Sequence, residues 1–332
     1  MTARTETGPA PGSTLKEFRA DVLAGLAQEP KAISSRWFYD AAGSQLFQRI
    51  MASPDYYLTR AEDEILREQA DDIVQALAPA GAEFDLFELG AGDGAKTKHL
   101  LRRALERGRR PHFRPIDISP HALRDLETSL ATELPTLSVT GVVGEYLEAV
   151  QGALSDPGYP KAVLFLGSNI GNLDREHTIT LLRTISAQLG SGDRLLVGFD
   201  LKKDPATIRR AYDDRDGITR DFNLNLLRRM NRELGADFQV QQFVHAPVYC
   251  PATGRAISYL VSTCDQEVRL PGAAGPVSFR AWEAFRTEIS QKYDPAMIAD
   301  LAAHAGLRIL REFTDRDGLF SDVVFGPVPR AG

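Results

Sequence analysis

The chain has 332 residues, enough for about two domains and a sizeable buried core without disulfide or metal support. Its composition, 43% hydrophobic and 25% charged with 27 glycines and 19 prolines, excludes a mostly disordered or fibrous chain. A net charge of −6 argues against a generally cationic surface for nucleic acid or anionic lipid, although a local basic patch can exist within that sum.

Residues 1–14 are rich in Thr, Pro, Gly and Ala and are expected to form a disordered tail, with structure beginning near Leu15. The N-terminus lacks an apolar h-region and no apolar run is long enough to cross a bilayer, so neither export nor membrane insertion is expected. From Thr59, TRAE offers a capping box closed by Glu62; Leu66, Ala70, Ile73 and Leu77 follow at helical spacing. That pattern predicts one amphipathic helix ending before Pro79.

Strand-like apolar runs then alternate with helical patterns: FDLFEL (84–89), HFRPIDI (112–118), LSVTGVV (137–143), AVLFLG (162–167) and RLLVGFDL (194–201). Such alternation implies crossovers and a parallel sheet covered on both faces. After Leu201 the texture changes. A helix stripe of Ile218, Phe222, Leu226, Met230 and Leu234 closes at Gly235, and FQVQQFVHAPVY, a PATG turn and AISYLVSTC follow as a separate, inserted α+β module. The α/β pattern resumes with a helix near 295–305 and two strands, LRILREFTD and FSDVVFGPV, joined tightly enough to pair antiparallel. A parallel sheet ending in such a hairpin resembles the Rossmann-like fold of the class I S-adenosylmethionine-dependent methyltransferases.

FELGAGDGAKT (87–97) sets Gly90, Gly92 and Gly94 between a strand and a helix, where a backbone free of Cβ atoms can turn sharply and approach a ligand at the helix N-terminus. Gly90, Gly92 and Ala95 also satisfy a dinucleotide fingerprint, so an NAD-dependent oxidoreductase stays open on this loop alone. Glu88 favours S-adenosylmethionine: in the methyltransferases an acid two positions before the first glycine lies near the cofactor's cationic end, whereas pyrophosphate there would be repelled. Asp117, at the end of the second strand, could accept both ribose hydroxyls or simply cap the turn before Ser119 and Pro120. Glu145 and Tyr146, after the third strand, have the order expected for adenine contacts. Lys96 starts the next helix, where a cation needs a compensating partner; the cofactor carboxylate would supply one. The basic run Lys96, Arg102, Arg103, Arg107, Arg109 and Arg110 reads as a solvated helix face beside acidic neighbours rather than an RNA surface.

The stretches SRWFYDAAGSQLFQRI, SPDYYLTRAEDEIL, FELGAGDGAKT, FLGSNIGNL, RAYDDRDGITRDFNLNLL, NRELGADF and TEISQKY together resemble the ergothioneine-pathway histidine α-N-methyltransferases, from about Leu15 onward. That resemblance implies trimethylation of the α-amine of L-histidine to hercynine with S-adenosylmethionine. It implies a cofactor domain of residues 61–201 and 293–332, and a substrate domain of residues 15–60 and 202–292. It places Tyr39, Gly90, Lys96, Asp117, Glu145 and Tyr146 at the cofactor, Tyr39 on resemblance alone. It places Tyr56, Asn172, Tyr212, Glu288 and Ser290 at the amino acid, with Tyr56 and Asn172 closest to the chemistry. Each has a plainer reading too: Asn172 could be an Asn in a left-handed turn beside Gly171, and the tyrosines could serve packing. Glu288 and Ser290, spaced i, i+2, share a face if TEIS is extended, and together could serve both imidazole nitrogens.

Attack on the sulfonium methyl needs a neutral amine, whose conjugate acid has a pKa of about 8 in peptides, so positioning and proton loss matter more than covalent catalysis. Asn169 and the segment around Ser258 depart from the family's pattern and leave an aromatic amino acid as an alternative substrate; a non-catalytic binding protein is the other alternative. No metal is expected, because the six histidines (His99, His112, His121, His177, His245 and His304) are scattered. Cys250 and Cys264 lack zinc-site spacing and make no disulfide framework, so a reducing, cytoplasmic setting is expected. The expected partner is a small amino acid, with no nucleic acid, membrane or obligate protein partner.

Overall fold

The computed structural model describes residues 11–78, 83–144, 146–154 and 159–329. In chain order, helices α1 (Pro11–Leu26), α2 (Ala41–Ala52), α3 (Tyr57–Glu68) and α4 (Ala70–Leu77) precede strand β1 (Glu83–Leu89). Then come α5 (Thr97–Glu106), β2 (Arg110–Asp117), α6 (Pro120–Glu133), β3 (Ser138–Val139), β4 (Val142–Val143), α7 (Tyr146–Ala153), β5 (Lys161–Phe165), α8 (Arg175–Gln188) and β6 (Arg194–Asp200). The next stretch holds α9 (Pro205–Tyr212), α10 (Ile218–Leu234), β7 (Phe243–Cys250), β8 (Arg255–Ser262), β9 (Gln266–Val268), β10 (Val277–Phe279) and β11 (Ala284–Gln291). Helix α11 (Pro295–Ala305) and strands β12 (Leu307–Thr314) and β13 (Phe320–Pro327) complete the order. The chain divides into two compact units, Met1–Tyr57 with Lys203–Ser290, and Leu58–Lys202 with Gln291–Gly332.

The second unit is built on a sheet of order β12-β13-β6-β5-β1-β2-β3, with β4 also on β2. Strands β2, β1, β5 and β6 run parallel, and β13 pairs antiparallel with both β6 and β12. Alternate residues feed opposite faces, as a pleated strand requires. Leu86, Leu164 and Leu196 join a core with Ile65, Ile73, Leu100 and Leu126 from α3 to α6. Their neighbours Phe87, Val163 and Leu195 join the other, with Val150, Leu182 and Ile298 from α7, α8 and α11. A sheet covered on both sides explains why its strands read as continuous apolar runs.

The first unit holds the three-stranded sheet β11-β8-β7 and the pair β9–β10. The stripe on α10 is buried as expected: Phe222, Leu226, Met230 and Leu234 pack with Phe18, Trp37, Leu260 and Phe285. Gly235 ends that helix at φ +72°, a left-handed conformation that favours glycine.

Several expectations are corrected. Helix α1 already begins at Pro11, inside the stretch expected to be a tail to residue 14; residues 1–10 lie outside the described residues. The helix expected over 59–77 is two, broken at Gln69, whose side chain donates to the Thr314 carbonyl at 2.8 Å. Thr59 lies within α3, so TRAE is not a capping box. LSVTGVV is two short strands, because Gly141 N–H donates to Glu127 Oε1 (2.8 Å) instead of to the sheet. FQVQQFV enters its strand through a 3-10 turn, Val240–Gln242.

Candidate functional site

Parallel pairing of β1 with β2 sets Leu89 beside Ile116, so both strands end together and Glu88 and Asp117 stand at the same carboxyl edge. The loop leaving β1 has Gly90, Gly92 and Gly94 at φ +70°, +55° and +61°. A Cβ on Gly90 would lie 2.7 Å from Tyr146 Oη, so a side chain there would be strained in conformation and would have to displace the tyrosine. Gly92 instead faces open space, and its N–H donates to Asp117 Oδ2 at 3.1 Å. Asp117 Oδ1 accepts from Ser119 N–H at 2.9 Å. Both roles considered for Asp117 are thus compatible: it caps the turn, and backbone donors fix its carboxylate at the strand end. The Tyr146 ring stands edge-on to Phe165 with centroids 5.2 Å apart. Glu145 lies outside the described residues.

Beneath this loop is a cluster of buried charge. Glu88 is 4% exposed; Oε1 accepts from the Thr97 hydroxyl at 2.6 Å, whereas Oε2 has no hydrogen-bond partner among the described residues. Burial pushes its pKa up to about 8, against the opposing pull of Thr97 and Lys96. Lys96 occupies the position before α5 without a side-chain capping bond, and its ammonium pairs with Glu62 Oε2. Burial works against the lysine's charge, but Glu62 outweighs it and raises the pKa. Glu62 Oε1 accepts from Gly167 N–H at 2.6 Å. Asp322, on β13, is fully buried with both carboxyl oxygens unpartnered among the described residues. Burial, reinforced by Glu62, holds its pKa well above the ordinary carboxylate range. Neither Glu62 nor Asp322 was marked as a site residue by the sequence pattern.

The loop after β5 is the second strand-end element. Gly167 (φ +75°) and Ser168 (φ +55°) are both left-handed, and Ser168 Oγ accepts from Asp200 N–H at 3.2 Å. A serine in that conformation stores strain, a feature concentrated at functional sites. Asn172 closes the 3-10 turn Asn169–Asn172 and is half-buried; the left-handed backbone considered for it belongs to Ser168. Asn169 Nδ2 lies 3.4 Å from the Cβ position of Gly90, so the loops after β1 and β5 adjoin.

In the first unit, Tyr39, exposed, and Tyr56, half-buried, both stand edge-on to Phe47, at centroid distances of 5.4 and 6.3 Å. Tyr212 ends α9 and is buried. TEIS is extended within β11, so Glu288 and Ser290 lie on one side of the strand and Thr287 on the other. Thr287 is fully buried, its hydroxyl lying between Asn223 Oδ1 (2.6 Å) and the Ser258 carbonyl (3.1 Å). The Ser258 hydroxyl donates to Glu288 Oε2 at 3.1 Å.

The basic run is matched by acids: Arg102 pairs with Glu133, Arg103 and Arg107 with Asp71, and Arg110 with Glu83. Cys250 and Cys264 are free thiols, and no group of three metal-binding side chains gathers among the described residues. No described helix is long and apolar enough to cross a membrane.

The residues around the glycine loop fit S-adenosylmethionine better than a dinucleotide. The buried Glu88 oxygen that has no partner among the described residues suits a cationic amine, and Gly92 leaves backbone that a ligand can approach.

Residues 18–327 match the model of a family described as histidine-specific methyltransferase, SAM-dependent. The chain is 38% identical to histidine N-alpha-methyltransferase of Mycolicibacterium smegmatis over 311 residues, covering 94% of this chain and 95% of that one. It is 37% identical to the protein of the same name in Mycobacterium tuberculosis, covering 91% and 92%. Ergothioneine biosynthesis protein 1 of Neurospora crassa is 31% identical over 293 residues, covering 86% of this chain and 32% of that protein.

Proposed function

The chain belongs to the histidine-specific, S-adenosylmethionine-dependent methyltransferase family, and on that premise we propose that it trimethylates the α-amine of L-histidine to hercynine. It is a class I methyltransferase in fold and an S-adenosylmethionine-dependent N-methyltransferase in activity. The observation that carries the cofactor reading is the pair of strand-end carboxylates, Glu88 and Asp117, flanking a glycine loop whose Gly92 N–H is fixed on Asp117.

In this reading the second unit binds the cofactor and the first recognises the amino acid. S-adenosylmethionine, when bound, supplies the electrophilic methyl on a sulfonium. Glu88 and Lys96 take its amino-acid end, Asp117 its ribose, and Glu145 with Tyr146 its adenine; Tyr39 is assigned to the cofactor by the family resemblance. Asn172 and Tyr212 anchor the substrate's amino-acid end, while Glu288 and Ser290 fix the imidazole through an acceptor and a hydroxyl. Tyr56 offers a ring face and a hydroxyl to an ammonium that gains methyl groups. None of these side chains needs to form a covalent intermediate: they orient the amine, and the amine attacks after losing its proton. The small zwitterionic substrate accords with a chain of net charge −6, and two free thiols suit a cytoplasmic setting.

The test is mass spectrometry of products from an amino-acid panel incubated with enzyme and S-adenosylmethionine. Three methyl additions on histidine, and none on tryptophan or tyrosine, is the expected result. Methylation of tryptophan alone would move the substrate to an indole, and no product from any amine would leave a binding protein.

A further inference from the structure

Glu62 comes from the TRAE motif, yet it caps nothing: α3 begins at Tyr57, and the carboxylate is fully buried. We infer that Glu62 is the positioning residue of the cofactor site, holding Lys96 and the loop after β5 in place through one carboxylate oxygen each. The inference rests on the reading of Lys96 as a contact to the cofactor's carboxylate.

The two oxygens have separate tasks. Oε2 pairs with the Lys96 ammonium, and Oε1 accepts from Gly167 N–H at 2.6 Å. The connection joins α3, the first turn of α5 and the turn that leads to Asn172, segments 34 and 105 residues away in sequence. A buried carboxylate is a costly packing element, and an apolar side chain of similar volume would fill the space without that desolvation. What an apolar residue could not do is orient a lysine. The Lys96 side chain is 23% exposed and carries three donors. Glu62 occupies one, which leaves the others for an anionic ligand while the long side chain is already ordered. Pre-ordering removes much of the rotamer freedom that a lysine otherwise loses on binding.

The surroundings are shaped around the Glu62 side chain. Gly198 on β6 makes room: a Cβ there would lie 2.4 Å from Glu62 Oε1 and 3.0 Å from Asp322 Oδ1. Asp322, fully buried beside it and without a hydrogen-bond partner among the described residues, has its pKa raised by burial, as has Glu88. Lys96 therefore faces three carboxyl groups, of which Glu62 is the one in direct contact.

The test compares S-adenosylhomocysteine with 5′-methylthioadenosine, which lacks the amino-acid end, by calorimetric titration of the full-length protein. Glu62→Gln keeps an oxygen for Gly167 N–H and removes the negative charge from Lys96. The expected result is a loss of about tenfold or more in S-adenosylhomocysteine affinity, with 5′-methylthioadenosine affinity unchanged. An equal loss for both ligands, or none for either, overturns the inference. If Glu62→Gln does not fold, Gly198→Ala crowds the same carboxylate and carries the same expectation. Lys96→Met separates the two claims. Unchanged S-adenosylhomocysteine binding there overturns the lysine reading and this inference with it; a loss there without one in Glu62→Gln overturns this inference alone.

Discussion

The fully buried Ser258 hydroxyl donates to Glu288 Oε2 at 3.1 Å and so links β8 to β11 through side chains. One carboxylate oxygen is thereby engaged from within the unit. On the preceding residue, the Thr287 hydroxyl reaches Asn223 of α10 and the Ser258 carbonyl, which fixes the strand on which Glu288 stands.

Glu288→Ala should therefore weaken histidine use strongly while S-adenosylhomocysteine affinity stays the same. Ser258→Ala should raise the histidine KM about tenfold, with a smaller change in kcat, since a hydrogen bond to a charged group is worth ~1.5–3 kcal/mol. Steady-state kinetics on both variants checks this. Histidine turnover unchanged in Glu288→Ala would remove it from the recognition site.

Glu88 makes stability depend on pH. Its folded pKa of about 8 lies above the ordinary 4.5, so the folded protein keeps a proton that the unfolded chain releases. The stability tied to that proton is fully present below pH 4.5 and is lost as pH rises through 8. The loss is up to ~1.4 kcal/mol per pH unit across that window. Thermal melts without added ligand should show the wild type falling relative to Glu88→Gln from pH 5 to 8; parallel curves would refute the assignment.

Gly90 and Gly92 separate folding from binding. Both left-handed positions charge an alanine ~1–2 kcal/mol, but only at Gly90 does the new Cβ also meet Tyr146 Oη. Gly90→Ala should melt at a clearly lower temperature than Gly92→Ala, while both lose S-adenosylhomocysteine affinity. Equal melting temperatures would mean that the tyrosine moves aside freely.

Lys292 and Asp200 form a fully buried ion pair at 2.7 Å where the chain re-enters the second unit. The adjoining Tyr293 N–H donates to the Asp200 carbonyl and its ring stands edge-on to Phe199. Lys292→Met removes the charge partner of a buried carboxylate and should cost about 3–5 kcal/mol. Chemical denaturation measures it, and a cost below about 1 kcal/mol would show that this pair contributes no more than a surface ion pair.

The parallel strands were legible because a sheet covered on both faces leaves runs such as FDLFEL and AVLFLG, and the hairpin because its strands are close in sequence. The stripe on α10 was legible for the same local reason. Elements governed by distant partners were not. The local TRAE pattern is a sound capping signature, but Glu62 answers to Lys96 and Gly167, which no window around α3 contains. LSVTGVV has the composition of one strand, and only the Glu127 carboxylate reaching Gly141 N–H divides it. In the site, Glu88 and Asp117 could be read because their places at strand ends follow from the alternating pattern. Asp322 looked like an ordinary strand residue. Ser258 stood out as a departure from the family, but its bond to Glu288 spans 30 residues.

The place of β13 between β6 and β12 sets a timetable for synthesis. Strand β6 leaves the ribosome long before Phe320, the residue that pairs with Asp200, has been made. Meanwhile Leu195, Leu196 and Val197 lie along an open sheet edge, the kind of surface on which nascent chains aggregate. Of the residues translated during that interval, 203–290 belong to the first unit and find their partners in residues already synthesised. The half-built sheet thus waits while its neighbour in sequence folds, and chaperone demand and yield on expression should be decided in that interval.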